Sequence, residues 1–313
     1  MSQLQSITAA APATIANMGP GFDCLGMAIT MLHDVVTATQ SNINGVRIRS
    51  ITGACEHISQ SVKENTAGLA VQALLRATKT HAGIVLDIEK GIPAGSGLGS
   101  SAASATAAVF AVNNLLGLGL SPHELIFFAM QGERASAGTP HADNVAPALL
   151  GGVTIVRSMR PLDVVSINPS AKLRVIVARP NLRLDTRSSR AVLPADLTLH
   201  TATRQWSNVA GLVAGLCLKD NELIARSMED VIVEPARKSL IPNFARIKNC
   251  AIRSGAIGCT ISGGGPSVFA LAKDASAAEY IASAIKENLL GRRPSYDIFI
   301  AAIDKRGTQI LKR

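Results

Sequence analysis

The amino-acid sequence predicts an α+β fold in two domains, and three observations carry that prediction. A chain of 313 residues exceeds the usual size of one domain. Strand-like and helix-like periodicities alternate through both halves instead of segregating. A loop rich in glycine, Ile92 to Gly99, separates a strand-like run from an Ala-rich helical one. With 47% hydrophobic and 17% charged residues there is ample material for a core, which excludes a disordered chain.

The elements follow in order. Ser6 to Ala11, Leu25 to Thr39 and Gly45 to Ile51 read as strands, and Thr66 to Thr80 as a helix with apolar spacing at Ala70, Leu74 and Ala77. Gly83 to Ile88 returns to strand, and the glycine loop leads into an Ala-rich helix from about Ser101 to Leu116. Ser121-Pro-His-Glu124 opens the next helix, with an N-cap serine, proline at the first helical position and an acid in the first turn. Strands at Gly152 to Val156 and Val164 to Ile167 close a first domain, residues 1–169. In residues 170–313 the spacing predicts strands at Leu173 to Ala178, Ile257 to Ile261, Val268 to Ala272 and Asp297 to Ala302. Helices are predicted over Thr198 to Leu218, Asn221 to Ser227, Pro242 to Arg253 and Ala275 to Asn288. That alternation predicts a helix-backed antiparallel sheet of ferredoxin-like type.

Composition removes several function classes. The net charge of +9 belongs to the second half, since residues 1–150 hold 7 basic and 9 acidic side chains. The basic residues are dispersed and only 3% of residues are aromatic, which argues against a nucleic-acid surface and leaves an anionic small molecule. From Gly91 to His123 no Asp, Glu, Lys or Arg occurs, but Pro93, the glycines and the serines fit a buried helix better than a membrane span. The start of the chain shows neither a basic n-region nor an apolar h-region, so the expected location is the cytoplasm. Cys24, Cys55, Cys217, Cys250 and Cys259 lack paired metal-ligand spacing and read as reduced thiols, mostly buried.

The glycine loop has the chemistry of an anion cradle. Gly95, Gly97 and Gly99 permit positive φ, so successive backbone N–H groups can turn toward phosphate oxygens, and the following helix presents its unsatisfied N–H groups there. Ser100 and Ser101 add hydroxyls for a phosphate or a Mg²⁺ ion. Neither G-x-x-x-x-G-K-[ST] nor a dinucleotide fingerprint with its ribose-binding acid is present; Asn113 and Asn114 stand where that acid belongs. Standing alone, the segment could also be a glycine turn that caps a buried helix.

Pro93-Ala94-Gly95-Ser96-Gly97-Leu98-Gly99-Ser100-Ser101-Ala102-Ala103 resembles the phosphate loop of GHMP kinases. Pro12 to Gly26, with Asn17-Met-Gly-Pro-Gly-Phe-Asp23, resembles the first motif of that superfamily in its homoserine kinase form. Gly258 to Val268 resembles the third, a glycine turn that supports the loop. Gly138 to Pro147, Asp185 to Pro194 and Glu234 to Pro242 resemble further homoserine kinase segments, so the likeness spans residues 12–268. The resemblance implies an N-terminal α+β domain related to a ribosomal-protein fold, a C-terminal ferredoxin-like domain, an active site between them and often a homodimer. It implies phosphorylation of the L-homoserine side-chain hydroxyl by ATP, in threonine biosynthesis.

The same resemblance implies roles for individual residues. The whole stretch from Pro93 to Ala103 would bind ATP, and Ser101 with Glu133 would clamp Mg²⁺, which commonly keeps few protein ligands. Asn17 and Asp23 would hold the ammonium of homoserine. Arg190 and Arg237 would grip its carboxylate, a task suited to the planar guanidinium fork. His141 and Asn144 would line the pocket near the hydroxyl, with Asn144 orienting it. Asp143 is the alternative as catalytic base, although a loose transition state makes early deprotonation unnecessary. Without the motifs, Glu133 reads as a solvated helix acid paired with Arg134 or Lys90, both arginines as surface residues, Asp23 as a turn residue and His141 as a structural donor. The competing functions are another GHMP kinase acting on a different alcohol and a basic binding protein built on the same fold.

Overall fold

The computed structural model describes residues 5–54, 58–137 and 141–312. The first sheet contains β1 (Ser6–Ala16), β2 (Leu25–Ser41), β3 (Gly45–Gly53), β4 (Gly83–Lys90), β5 (Val153–Met159) and β6 (Leu162–Ile167). The strand β11 (Gln309–Lys312) completes it from the far end of the chain. Its order is β11-β1-β2-β4-β3, with β5 on the near end of β2 and β6 outside β5. β3 and β4 are parallel and the other pairs antiparallel. The long β2 serves two partners, with Leu25–Met27 paired to β5 and Asp34–Ser41 to β4. A register shift between Pro12 and Ala13 on β1 marks the change of course.

Four helices belong to this half: α1 (Thr66–Ala77), α2 (Ser100–Leu115), α3 (Pro122–Ala137) and α4 (Val145–Leu150). Helix α2 is buried on nearly every side, because its small residues let β1, β2, α1 and α3 approach it closely. It packs inside a protein core, and among the described residues no helix is long and apolar enough to cross a membrane. The capping box expected at α3 is present: Ser121 N–H donates to Glu124 Oε2 at 2.8 Å, and Glu124 N–H donates to Ser121 Oγ at 3.3 Å.

The second sheet, β10-β7-β9-β8, is antiparallel throughout and contains β7 (Arg174–Pro180), β8 (Gly258–Ile261), β9 (Val268–Ala272) and β10 (Tyr296–Ala302). Helices α9 (Phe244–Arg253) and α10 (Ala275–Asn288) cover one face. Alternation along β7 divides its side chains: Ile176 and Ala178 join Ile247 and Ile281 under those helices, whereas Val175 and Val177 join the core of the first half. Helices α5 (Thr186–Ala191), α6 (Leu199–Leu218), α7 (Asn221–Ser227) and α8 (Val233–Arg237) occupy the connection between β7 and β8. The change of sheet falls between Ile167 and Arg174, and β11 returns to the first sheet to pair with β1.

Most expected elements are present with ends displaced by a few residues. The short helices α4, α5 and α8 and the strand β11 have no counterpart in the sequence reading. Four cysteines are free, and they divide by exposure: Cys259 is buried, Cys24 and Cys250 are half-buried, and Cys217 is exposed, against the expectation of general burial. Cys55 lies outside the described residues.

Candidate active site

A cleft of about 540 Å³ runs along the junction, lined by all the expected side chains and by the loop except Pro93, Leu98 and Ala103; Leu98 and Ala103 are buried in the core instead. One wall is the glycine loop between β4 and α2. Gly95, Gly97 and Gly99 have φ of 69°, 78° and 69°, so this stretch is left-handed at alternate positions as an anion cradle requires. Gly97 is irreplaceable for a second reason, since a Cβ there would lie 2.6 Å from the Gly265 carbonyl oxygen and 2.8 Å from that of Ser262. The glycine turn Gly263–Gly265 thus presses on the loop, and hydrogen bonds fasten the two. Ser262 Oγ donates to the Gly97 carbonyl at 2.6 Å and Ser267 Oγ to the Ser96 carbonyl at 2.6 Å.

A buried ion pair anchors the entry to the loop. Asp34, fully buried on β2, accepts the ammonium of Lys90 and the backbone N–H groups of Gly91 and Ile92 at 3.1 and 3.0 Å. Lys90 also donates to the Ser100 carbonyl at 2.8 Å, tying the first turn of α2 to the end of β4. The Ser100 hydroxyl, expected to face phosphate or metal, instead donates to the Ile92 carbonyl at 2.7 Å and closes the loop on itself. Ser96 Oγ is buried without a hydrogen-bond partner in the cleft lining, the state expected of a group that meets its partner on a ligand.

Ser101 Oγ donates to Glu133 Oε1 at 2.8 Å. Glu133 is 8% exposed, so it is no solvated helix acid. A hydroxyl and a buried carboxylate at the mouth of an anion cradle form a hard oxygen pair, which fits a magnesium ion with its remaining positions left to phosphates and water.

The other wall is built from scattered side chains. Asn17 and Asp23 have φ of 70° and 57°, a left-handed conformation that non-glycine residues keep only where surrounding contacts enforce it. Asn17 Nδ2 donates to the Gly263 carbonyl at 3.0 Å, and its Oδ1 accepts the Asp23 N–H at 3.2 Å. Arg190 Nη2 donates to Asp23 Oδ1 at 2.6 Å and lies 3.4 Å from His141 Nδ1. Burial holds the His141 imidazole below its ordinary value, with Asp23 opposing and Arg190 assisting.

Both arginines lie over the Phe22 ring, with guanidinium carbons 5.2 Å (Arg190) and 5.4 Å (Arg237) from its centroid. Their freedom differs. Arg237 is 2% exposed and spends Nε on the Ser189 carbonyl at 2.9 Å and Nη1 on the Gly263 carbonyl at 3.0 Å. It is no surface arginine, and burial and then Arg190 push its guanidinium down to about 10, still charged at neutral pH. Arg190 keeps a buried Nε without a hydrogen-bond partner.

Asp143 and Asn144 stand at the start of α4. Gly26 admits them, because a Cβ at that position would lie 1.7 Å from the Asp143 carbonyl oxygen. Burial raises the Asp143 carboxyl to about 7, with Asp23 and Glu133 adding to the rise and Arg190 opposing it. Asn144 Oδ1 accepts from the Thr14 hydroxyl at 2.8 Å, which turns the amide so that its Nδ2 donor remains for a ligand. Of the segment Gly138 to Pro147, residues 138–140 lie outside those described.

The sequence reading missed part of the lining. Ile58, Ser59 and Asn65 come from the stretch before α1, which has no glycine pattern or charge cluster to mark it. Arg183 and Arg187 sit exposed on the rim, and like the buried Arg237 they hold no ion pair among the described residues, whereas Lys90 and Arg190 are paired. The Arg183 stem lies against Gly95, while Leu184 N–H donates to the Gly95 carbonyl at 3.1 Å. Excess basic charge in the second half was the available signal.

Comparison with known proteins agrees with this geometry. The family models described as GHMP kinases N terminal domain and GHMP kinases C terminal match residues 63–152 and 212–290. A homoserine kinase of Chlorobium phaeovibrioides is 42% identical over 98% of this chain and 100% of its own length. One from Methanococcus vannielii is 38% identical over 86% of this chain and 89% of its own. The crystal structure of a homoserine kinase from Cytophaga hutchinsonii superposes with a TM-score of 0.95 at 43% identity, over 99% of both chains. Leishmania major mevalonate kinase in complex with R-mevalonate, at 17% identity and a TM-score of 0.73 over 96% of this chain and 97% of that one, shares the fold alone. With two motif-bearing domains in the expected order and such identity sustained along nearly the whole chain, this protein belongs to the homoserine kinase family of the GHMP kinases.

Proposed function

We propose that this chain transfers the γ-phosphate of ATP to the side-chain hydroxyl of L-homoserine. The observation that carries the reading is the opposition, across one cleft, of a backbone anion cradle and a cluster complementary to an amino acid. In the transfer a bond forms between the hydroxyl oxygen and the γ-phosphorus, and the bond from that phosphorus to the β–γ bridging oxygen breaks. ADP leaves and the hydroxyl proton is lost.

The protein's part is placement and charge. The loop from Pro93 to Ala103 holds the phosphates with backbone N–H groups, and Ser96 Oγ gains the partner it lacks. Ser101 and Glu133 would hold Mg²⁺, which supplies charge neutralisation on the phosphate oxygens. The homoserine ammonium meets Asp23 and the carbonyl-rich Asn17 turn. Its carboxylate meets Arg190, with Arg237, at the same Phe22 ring, adding positive potential. Because Asp23 and Arg190 bond each other, the zwitterion enters by exchanging that ion pair for two of its own. Asn144 Nδ2 donates to the acceptor oxygen and orients it.

A second reading of proton removal takes Asp143 as the base: it lines the cleft beside Asn144, and with its carboxyl raised to about 7 it would take a proton near neutrality. The test of the function is ADP release coupled to NADH oxidation. L-homoserine should elicit Mg²⁺-dependent turnover. Turnover only with a sugar or mevalonate-type alcohol would move the chain to another acceptor, and no ATP use with any alcohol would leave a binding protein on this fold.

A further inference from the structure

We infer that Gln205, outside the cleft lining, is a positioning residue that holds the two halves of the acceptor pocket in register. The inference rests on the function proposed above, because it concerns the same acceptor. Gln205 lies on α6 and is 8% exposed, although its neighbours Arg204 and Trp206 face solvent. Its Nε2 donates to the Pro20 carbonyl at 2.9 Å and to Asp230 Oδ1 at 2.9 Å, and its Oε1 accepts the Val231 N–H at 2.9 Å. Nearly the whole capacity of the amide is thus spent on two segments remote from each other in sequence.

Each segment leads to one side of the pocket. Pro20 precedes Phe22, the ring under both guanidiniums, and Asp23, the partner of Arg190. Asp230 is 6% exposed and caps α8: Oδ1 accepts the N–H groups of Ile232 and Val233 at 3.0 and 2.8 Å, and Oδ2 accepts that of Glu234 at 3.0 Å. Arg237 is the last residue of α8. A five-residue helix cannot hold itself in water, so the direction of Arg237 depends on that cap and on its own two carbonyl contacts. Gln205 joins the cap to the Pro20 turn and so sets the distance between the anionic and cationic sides. The phosphate loop is anchored by Asp34 and the Ser262–Ser267 turn, and none of the hydrogen bonds of Gln205 reaches it; the acceptor side meets that turn at the Gly263 carbonyl, which accepts from Asn17 and Arg237.

A purely structural glutamine would lower stability and depress both substrates together; a positioning one separates them. Gln205→Leu keeps the volume and removes all three hydrogen bonds. Displacements of about 1 Å at a reacting centre cost up to ~100-fold, and here KM for L-homoserine should rise about 10-fold with KM for ATP within about 2-fold of wild type. The preference for homoserine over the amino alcohol that lacks only the carboxylate should shrink by a similar factor. Asp230→Asn, which keeps one cap acceptor, should show the same split at about 3-fold and carries the test if the leucine variant does not fold. Parallel rises in both KM values, or a fall in Tm with unchanged acceptor KM, overturn the inference. Absence of homoserine turnover in the wild-type protein would instead overturn the function itself.

Discussion

The two walls of the cleft are made of different material. The nucleotide wall is main chain: alternate glycines in left-handed conformation, a helix N-terminus and a glycine turn locked to the loop by Ser262 and Ser267. Its hydrogen bonds and buried Asp34–Lys90 pair keep the cradle in shape before any ligand arrives. The acceptor wall is side chain, and its charges neutralise one another, Arg190 on Asp23 and both near His141. A backbone cradle suits any polyphosphate, so it confers little choice of acceptor; a wall of paired charges must be opened by a molecule carrying both signs. On the proposed function, selectivity belongs to the acceptor wall and phosphate geometry to the other, and substitutions should separate them.

The largest effect is expected at Gly97. Valine there combines positive φ with a Cβ 2.6 Å from the Gly265 carbonyl oxygen, so the loop must leave its support. ATP affinity should fall by about 100-fold or more, measured by calorimetric titration, with Tm recorded alongside. Retained affinity would show that the cradle is only a turn. Next comes Glu133→Gln, which keeps the volume and an oxygen for Ser101 but removes the charge. It should lower Mg²⁺-dependent kcat by about 100-fold, roughly 2.7 kcal/mol of transition-state stabilisation, without changing Tm appreciably. Wild-type kcat would exclude the metal clamp.

Asp143→Asn sharpens the comparison through pH. If Asp143 accepts the proton, kcat/KM for homoserine climbs as pH rises through about 7, and the asparagine variant loses that inflection together with about 10-fold or more of its rate. An unchanged profile leaves Asn144 as orienter with no base. Stability carries the opposite sign. The unfolded carboxyl loses its proton near the model-compound value of 3.8 and the folded one near 7, so the folded state holds the extra proton between them. The contribution of Asp143 to stability is then lost as pH rises across that window, and Asp143→Asn should flatten the dependence of Tm.

The smallest effect is expected at the rim. Arg183 is exposed, so Arg183→Ala should raise KM for ATP by only about 3- to 10-fold, less in high salt, and leave KM for homoserine alone. A change confined to homoserine would place Arg183 on the acceptor side.

The same contrast explains how much could be read in advance. The glycine loop, its strand and its helix are contiguous, and a backbone device leaves its mark in glycine spacing, so the nucleotide wall was legible from residues 92–104. The acceptor wall draws Asn17 and Asp23, His141, Arg190 and Arg237 from four separated segments. No local pattern shows that Arg190 will reach Asp23, and only motif resemblance put those residues on one list. What stayed illegible has physical causes. Helices α4, α5 and α8 have five or six residues each, too few for periodicity, and depend on tertiary contacts such as that of Gln205 with the Asp230 cap. The strand β11 is a short C-terminal segment whose pairing with β1 is set by topology. Ser100 looked available because nothing local shows its hydroxyl turned back to Ile92.

The central claim is that Arg190 reads the acceptor's carboxylate and takes no part in nucleotide binding. The direct measurement compares wild-type protein and Arg190→Ala by ADP release with two acceptors, L-homoserine and the amino alcohol lacking only the carboxylate. Arg190 is better suited than Arg237, whose removal would strand the Ser189 carbonyl in a buried site. A charge-assisted contact in a partly dry pocket is worth roughly 2 to 4 kcal/mol, so kcat/KM for homoserine should fall roughly 30- to 1000-fold. KM for ATP should scarcely change. The amino alcohol, already poor with wild-type protein, should lose much less. Equal losses with both acceptors would contradict the account, because Arg190 would then act on the transferring phosphate or on the fold.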